Sequence, residues 1–132
     1  MLTVIFFAHS RYRAEIASSL VPASVELALA EQESGRNRPV LCVIGGSSCQ
    51  YSLQSVYTEV QREAHLTHVV LQKEEYDILK ELAELEETPN VAGLELPGID
   101  IASLAKGYGA NAVSTRTAGE LGTVYRVSLK VK

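Results

Sequence analysis

The chain of 132 residues lacks the features that would connect it to nucleic acid or to a membrane. Its 12 lysines and arginines are outnumbered by 16 acidic residues, and a net charge of −4 leaves no basic surface for nucleic acid or anionic lipid. No apolar run approaches the roughly 18 residues that a membrane-spanning helix requires. We therefore expect neither nucleic acid nor a membrane among its partners.

Cysteine is scarce, and a secretion signal is missing. Cys42 and Cys49 are the two cysteines, and no CxxC spacing is present, which excludes the usual zinc and dithiol redox motifs. The N-terminal "MLTVIFFA" has no basic segment before its apolar residues and no small-residue cleavage site. It is therefore interpreted as a core strand rather than a signal peptide. These absences favour a reducing, cytoplasmic environment.

What the chain does contain is an alternation of apolar strands with longer helical patterns. Four apolar, β-branched runs occupy residues 2–8, 40–45, 66–72 and 111–115. The second and third are typical of strands buried on both faces of a parallel sheet. The alternation predicts a Rossmann-like α/β fold: a doubly wound, three-layer α/β/α sandwich with a mostly parallel sheet of four or five strands. Residues 1–132 are long enough for one such domain with its own core.

Proline, glycine and aspartate mark the boundaries of the predicted helices. Pro22 falls inside a helical region, residues 11–34. It either kinks that helix or opens a second helix over Ala23–Glu33, which Gly35 then ends. Asp100 is the expected N-cap of a short helix further along the chain.

The C-terminal segment carries two conflicting patterns. Thr117 and Glu120 have the spacing of a capping box, which predicts a helix. Apolar and polar residues alternate over residues 124–131, which is typical of a strand. We favour the helix and keep the strand as the alternative.

Reactive side chains follow the second predicted strand. Ser47, Ser48 and Cys49 stand at the expected start of a helix, where free N–H groups and the helix dipole favour anions. His9 ends the first predicted strand, and the carboxyl ends of parallel strands meet at one edge of a sheet. A nucleophile among the three, with His9 as base, would make an ester hydrolase acting on a small-molecule ester. The alternative is structural: Ser48 caps the helix, Cys49 packs beneath it, and His9 is an exposed loop residue.

Two further groups of polar residues are interpreted as structural. His65 and His68 flank the amino end of the third predicted strand, at the edge opposite Ser47. A strand turns residues three apart to opposite faces, so these histidines do not form a ligand pair. Glu74 and Glu75 begin the next helix, where carboxylates complement the dipole. We expect no metal site from the histidines, and the alternative for the two glutamates is a catalytic acid/base pair.

Three motifs occur in order along the chain: "VLCVIGGSSCQYSLQSVYTEVQ", "VVLQKEEYDILKEL" and "LPGIDIASLAKGYGANAV". Together they resemble the cofactor-binding domain of thiamine-diphosphate enzymes of the benzoylformate decarboxylase and acetolactate synthase kind. The resemblance covers about residues 20–130 and implies that domain's fold. Enzymes of this family are several times longer and use a second domain, across a dimer interface, for the pyrimidine end of the cofactor.

The resemblance also implies where the cofactor's metal would be held. The family signature begins Gly-Asp-Gly-Ser and ends in an Asn-Asn pair, and the Asp and the second Asn bind the Mg²⁺ that holds the diphosphate. In this chain Gly46 stands at the Asp position, Ser47 at the next glycine, and Gln72 and Lys73 at the Asn pair. Glycine offers no side-chain oxygen, and lysine brings a cation where the metal would lie. We therefore expect no metal and no cofactor to bind.

The first interpretation is accordingly a non-catalytic α/β domain that has kept the fold and lost its Mg²⁺ and diphosphate ligands. Because the departures concentrate on one site, they favour an engineered chain on a borrowed scaffold over a diverged natural fragment. One alternative is the ester hydrolase described above. The other is an interaction module that associates with copies of itself, because the absent partner domain would leave a former interface exposed.

Overall fold

The computed structural model describes residues 19–88 and 90–129. The predicted strand at 2–8, and His9 with it, lie outside the described residues. In the described part the elements follow in this order: α1 (Leu20–Glu33), β1 (Val40–Gly45), α2 (Gly46–Gln50), α3 (Ser55–Gln61), β2 (Leu66–Leu71), α4 (Asp77–Leu85), α5 (Ile101–Gly107) and α6 (Ala118–Ser128).

β1 and β2 run parallel, side by side, and form the sheet of the described residues. Their register runs from Val40 opposite Leu66 to Gly45 opposite Leu71. Both strands therefore match the predicted strands to within one residue. Parallel strands require a crossover connection, and α2 with α3 provides it. The predicted α/β class is confirmed.

The fourth predicted strand, at 111–115, is wrong for the part of the chain that the structure describes. This segment runs without strand pairing, although Ala112 and Thr115 are buried. An apolar, β-branched pattern indicates burial, whereas a strand also needs a neighbouring backbone to complete its hydrogen bonds. The described residues accordingly contain two strands, where four or five were predicted for the whole chain.

Pro22 lies in the first turn of α1, which begins at Leu20. The first N–H groups of a helix have no carbonyl partner, so the N–H that proline lacks is not missed there. This confirms the alternative in which a helix opens at Pro22, with its first residue slightly earlier than predicted. Gly35 follows the helix with a φ of +71°, the left-handed conformation that glycine adopts most readily.

The two predicted caps are both present. The Thr117 hydroxyl accepts a hydrogen bond from the Glu120 N–H at 3.3 Å, and the Glu120 carboxylate accepts one from the Thr117 N–H at 3.3 Å. This capping box starts α6, so the helix is confirmed for the C-terminal segment and the strand alternative is wrong as far as Ser128. Asp100 caps α5 by accepting from the Ser103 N–H at 3.0 Å.

The core lies between the sheet and the helices and consists mainly of small and branched side chains. Its fully buried members include Val21 of α1, Val56 of α3 and Val70 of β2. Leu121 and Tyr125 of α6 pack against it from the C-terminal end. No helix in residues 19–88 and 90–129 has both the length and the apolar composition needed to cross a bilayer.

Glu31 is a buried carboxylate near the end of α1, held by two arginines of the following loop. Arg38 contacts its two oxygens at 2.6 and 2.9 Å, and Arg36 lies 3.1 Å from it. The hydrogen bonds from Arg38 and then Arg36 lower the pKa of Glu31 to about 2. The carboxylate therefore fastens the loop before β1 to the helix that precedes it.

The substitution Glu31→Gln should lower the melting temperature at pH 7. It should also make the melting temperature less dependent on pH below about pH 5. The pKa of Glu31 in the folded chain lies below its ordinary value of 4.5, so the ionised carboxylate stabilises the fold above that pH. This contribution disappears as the pH falls toward about 2. Calorimetry between about pH 5 and pH 2 measures the loss, with exposed Glu33→Gln on the same helix as control. An acid dependence identical to that of the parent chain would contradict the assignment.

Candidate functional site

The carboxyl edge of the sheet, where β1 and β2 end, brings Gly46 against Gln72. Gly46 is buried and begins α2 directly after β1. A Cβ atom at this position would lie 3.3 Å from both Cα and Cγ of Gln72. A contact this short requires the neighbouring chain to move by a few tenths of an ångström. Glycine therefore allows the turn into α2 to pack directly on the end of β2.

Gln72 and Lys73 continue from β2 and point to different surroundings. The Gln72 amide Nε2 donates to the carbonyl oxygen of Ile99 at 2.6 Å, which ties the end of β2 to the loop before α5. The Lys73 side chain is 69% exposed, and its Nζ lies 3.9 Å from a Glu75 carboxylate oxygen. The Gln72 side chain therefore stabilises the fold, whereas the Lys73 side chain places positive charge at this edge of the sheet.

A cavity of about 630 Å³ opens at this edge. Its charged lining residues are two cations and three carboxylates: Lys73, Arg116, Glu74, Asp100 and Glu120. The remaining lining residues are Gln72, Gly98, Ile99 and Ser114. The mixture of charges gives the cavity no strong preference for an anion or a cation.

Two of the three carboxylates in this cavity already serve as caps. Asp100 accepts from both the N–H and the hydroxyl of Ser103, and these bonds lower its pKa. Glu120 accepts from the N–H groups of Arg116, at 2.8 Å, and of Thr117, and its pKa is lowered for the same reason. Both are ionised at neutral pH and oriented toward the backbone. Among the described residues, no group of three or more His, Cys, Asp or Glu side chains is placed to hold a metal ion.

The three predicted nucleophiles occupy α2, a helix of five residues. Ser47 and Ser48 are half-buried, whereas Cys49 is fully buried in the core. Gly45 is the N-cap and no side chain caps this helix, so the predicted cap role of Ser48 is wrong. Ser48 lies one turn too far along the chain for that role. The predicted packing of Cys49 is confirmed. Its proximity to His9 stays a prediction, because His9 lies outside the described residues.

The amino half of the sheet contains a polar pair that the sequence reading did not identify. His68 of β2 and Glu59 of α3 are both buried, and the ring Nε2 is hydrogen-bonded to the carboxylate. Burial lowers the pKa of His68, and the bond to Glu59 opposes that shift. His65 is exposed by contrast. No apolar periodicity marks Glu59 as a buried residue, and its partner lies on another element.

Cys42 of β1 lies beside this pair. It stands opposite His68 in the strand register, so both side chains point to the same face of the sheet. Burial raises the pKa of the Cys42 thiol to about 12. Both described thiols are therefore protonated at neutral pH, since burial also raises the pKa of Cys49, to about 11.

Comparison with known families identifies the domain. A family described as "Thiamine pyrophosphate enzyme, C-terminal TPP binding domain" matches residues 18–131. The chain belongs to this family. The resemblance read from the sequence motifs is thereby confirmed for nearly the whole chain.

Members and structures of the TPP binding domain family show the same relationship. Benzoylformate decarboxylase from Pseudomonas aeruginosa is 31% identical over 101 residues, which cover 76% of this chain and 18% of that protein. The crystal structure of benzoylformate decarboxylase from Polynucleobacter necessarius is 54% identical over 83% of this chain, with a TM-score of 0.80. A 4-hydroxybenzoylformate decarboxylase from Rhodococcus jostii RHA1 is 27% identical over 86% of this chain, also with a TM-score of 0.80.

This TPP binding domain spans about a fifth of the length of those relatives. It covers 21% of the Polynucleobacter chain and 21% of the Rhodococcus chain. The carboxyl edge with Gly46 and Gln72 lies inside the matched residues. The site described above therefore corresponds to one domain of these much longer relatives.

Both cysteines of this TPP-type domain should resist alkylation in the native state. Their thiols are buried and have raised pKa values, and the protonated thiol is a poor nucleophile. We expect iodoacetamide at pH 8 to label Cys42 and Cys49 at least tenfold more slowly in the native chain than in denaturant. Mass spectrometry of timed samples measures this. Rapid native labelling of Cys49 would contradict the prediction and would restore it as a candidate nucleophile.

Proposed function

We propose that this chain is a non-catalytic member of the TPP binding domain family, one that keeps the fold without binding Mg²⁺ and thiamine diphosphate. The observation that carries the proposal is the contact between Gly46 and Gln72. The sequence resemblance puts the family's metal-binding aspartate at position 46, and here the backbone of α2 packs on Gln72 with no side chain between them. A carboxylate would have to displace that contact.

The charges around the edge support the same proposal. Mg²⁺ prefers a near-octahedral set of oxygen ligands. Lys73 stands at the second ligand position with an ammonium group, which repels a divalent cation. Asp100 and Glu120 supply carboxylates to the cavity, but their oxygens accept backbone hydrogen bonds at helix starts. The side chains present do not fit the Mg²⁺ diphosphate group.

Titration calorimetry of the full chain with thiamine diphosphate tests the proposal directly. We expect no saturable heat at micromolar protein, with or without millimolar Mg²⁺, because the metal has no side-chain ligands at positions 46 and 73. A Mg²⁺-dependent dissociation constant in the micromolar range would overturn the proposal.

Restoring the ligands provides the matched control. The triple variant Gly46→Asp, Gln72→Asn, Lys73→Asn rebuilds the family's ligand pattern at positions 46, 72 and 73. We expect this variant to gain Mg²⁺-dependent binding of inorganic pyrophosphate that the parent lacks. Circular dichroism verifies that both are folded. Equal binding by the parent chain would show that these positions do not decide the affinity.

The ester hydrolase is the second candidate, and one observation favours it. Ser47 and Ser48 lie half-buried in the first turn of α2, at the carboxyl edge where ligands of open α/β sheets bind. The oxyanion donors would be N–H groups of α2 and the base would be His9. Cys49 is the weakest of the three nucleophiles because its thiol is buried and its pKa raised.

Hydrolysis of p-nitrophenyl acetate separates the two candidates. The non-catalytic proposal expects the parent chain and the single variants His9→Ala, Ser47→Ala, Ser48→Ala and Cys49→Ala to hydrolyse it within about twofold of the buffer rate. If a serine and His9 form a dyad, the rate should instead fall at least tenfold in His9→Ala and in the variant that removes the acting serine, Ser47→Ala or Ser48→Ala. That result would replace the first proposal by the second.

The hypothesis of an engineered chain gains no support from the comparisons, in which each similar protein described above carries the name of a natural organism. A diverged natural domain agrees better with 54% identity over 83% of the chain. We place the protein in the cytoplasm, where its two free cysteines would stay reduced.

A further inference from the structure

The cavity at the carboxyl edge stops short of α2. Its walls come from residues 72–74 after β2, from residues 98–100 before α5, and from the segment that leads into α6. Gly46 begins α2 at the same edge, yet none of residues 46–50, all in the described part of the chain, lines the cavity. Gln72 lines the cavity and also packs against Gly46. Its side chain therefore stands between the start of α2 and the cavity.

The amide group of Gln72 joins two walls of the cavity. Its Nε2 donates to the carbonyl oxygen of Ile99 at 2.6 Å, so the bond connects the segment after β2 to the segment before α5. A backbone bond already holds these segments together further from α2, where the Leu96 N–H donates to the carbonyl oxygen of Glu74 at 2.7 Å. Gln72 adds a side-chain bond at the end of this contact that is nearest to α2.

This bond depends on the length of the glutamine side chain. Asparagine, which the family signature has at this position, is shorter by one methylene group. With the backbone unchanged, its amide would end about 1.5 Å further from Ile99, since a C–C bond is about 1.5 Å long. The separation of donor and acceptor would then be about 4 Å, too long for a hydrogen bond. The bond is therefore a property of this chain's glutamine.

We propose that Gln72 is a latch that closes the start of α2 off from the cavity and so excludes phosphate groups from the edge. This inference rests on the proposed function, to which it adds a second cause for the absence of binding at the same site. The loss of Mg²⁺ ligands at positions 46 and 73 is the first cause, and the latch acts independently of it. Restoring those two ligands alone should therefore leave the site closed.

Two variants of the full chain separate the latch from the missing ligands. The double variant is Gly46→Asp, Lys73→Asn, and the triple variant adds Gln72→Asn. Both side chains at position 72 have a Cβ and a Cγ, so the contact with residue 46 is alike and the reach of the amide differs. Calorimetry with inorganic pyrophosphate and Mg²⁺ should show at least tenfold weaker binding by the double variant. Equal affinities would overturn the proposal, and so would no binding by the triple variant.

Hydrogen–deuterium exchange tests the latch itself, without a ligand. The single variant Gln72→Asn should exchange the backbone amides of residues 96–104 at least fivefold faster than the parent chain. The control is Gln32→Asn, because Gln32 is also half-buried and its Nε2 donates to the carbonyl oxygen of Glu63 at 2.9 Å. That variant should leave the exchange of residues 96–104 unchanged.

Unchanged exchange in Gln72→Asn would overturn the latch even if pyrophosphate binding differed between the other two variants. The failure of the proposed function has a different signature, which is Mg²⁺-dependent binding of thiamine diphosphate by the parent chain. The exchange experiment contains neither compound, so the two outcomes are distinguished.

Discussion

The parallel register of β1 and β2 is the constraint on which the rest of the structure depends. It sets Gly45 opposite Leu71, so the two strands end together and the residues that follow them, Gly46 and Gln72, come into contact. Backbone hydrogen bonds fix this arrangement, and the side chains at the edge can change without altering it. A family fold and a changed ligand set are therefore compatible in one chain, since function depends on the local site more than on the fold.

The local elements were predictable where a short-range physical signal decides them. Pro22 needs a first helical turn, and Thr117 with Glu120 satisfies two backbone donors reciprocally, so each fixes a helix start from a few residues. The strands β1 and β2 were predictable because each consists mainly of apolar, largely β-branched residues. Residues 111–115 show the limit: their pattern indicates burial, but pairing depends on a neighbouring backbone that no local pattern specifies.

The candidate site was predictable in position and only partly in detail. The motifs locate Gly46, Gln72 and Lys73 at one edge, and the structure brings the first two into contact. The Gln72 bond to Ile99 joins residues 27 positions apart, which spacing alone does not reveal. Glu59 and His68 were missed for a related reason, because a buried acid at a helical position looks like any exposed one until its partner is known.

The buried pair of Glu59 and His68 has a consequence for how the strands can align. Sliding β2 by one residue along β1 would turn every side chain of β2 to the opposite face of the sheet. His68 would then point away from α3, and Glu59 would lose its imidazole partner inside the core. Leaving a buried polar group without its hydrogen-bond partner costs about 1–3 kcal/mol, a sizeable share of the roughly 5–15 kcal/mol total stability of a small domain. The contact therefore adds a side-chain preference for the native alignment to the backbone hydrogen bonds that hold the two strands together.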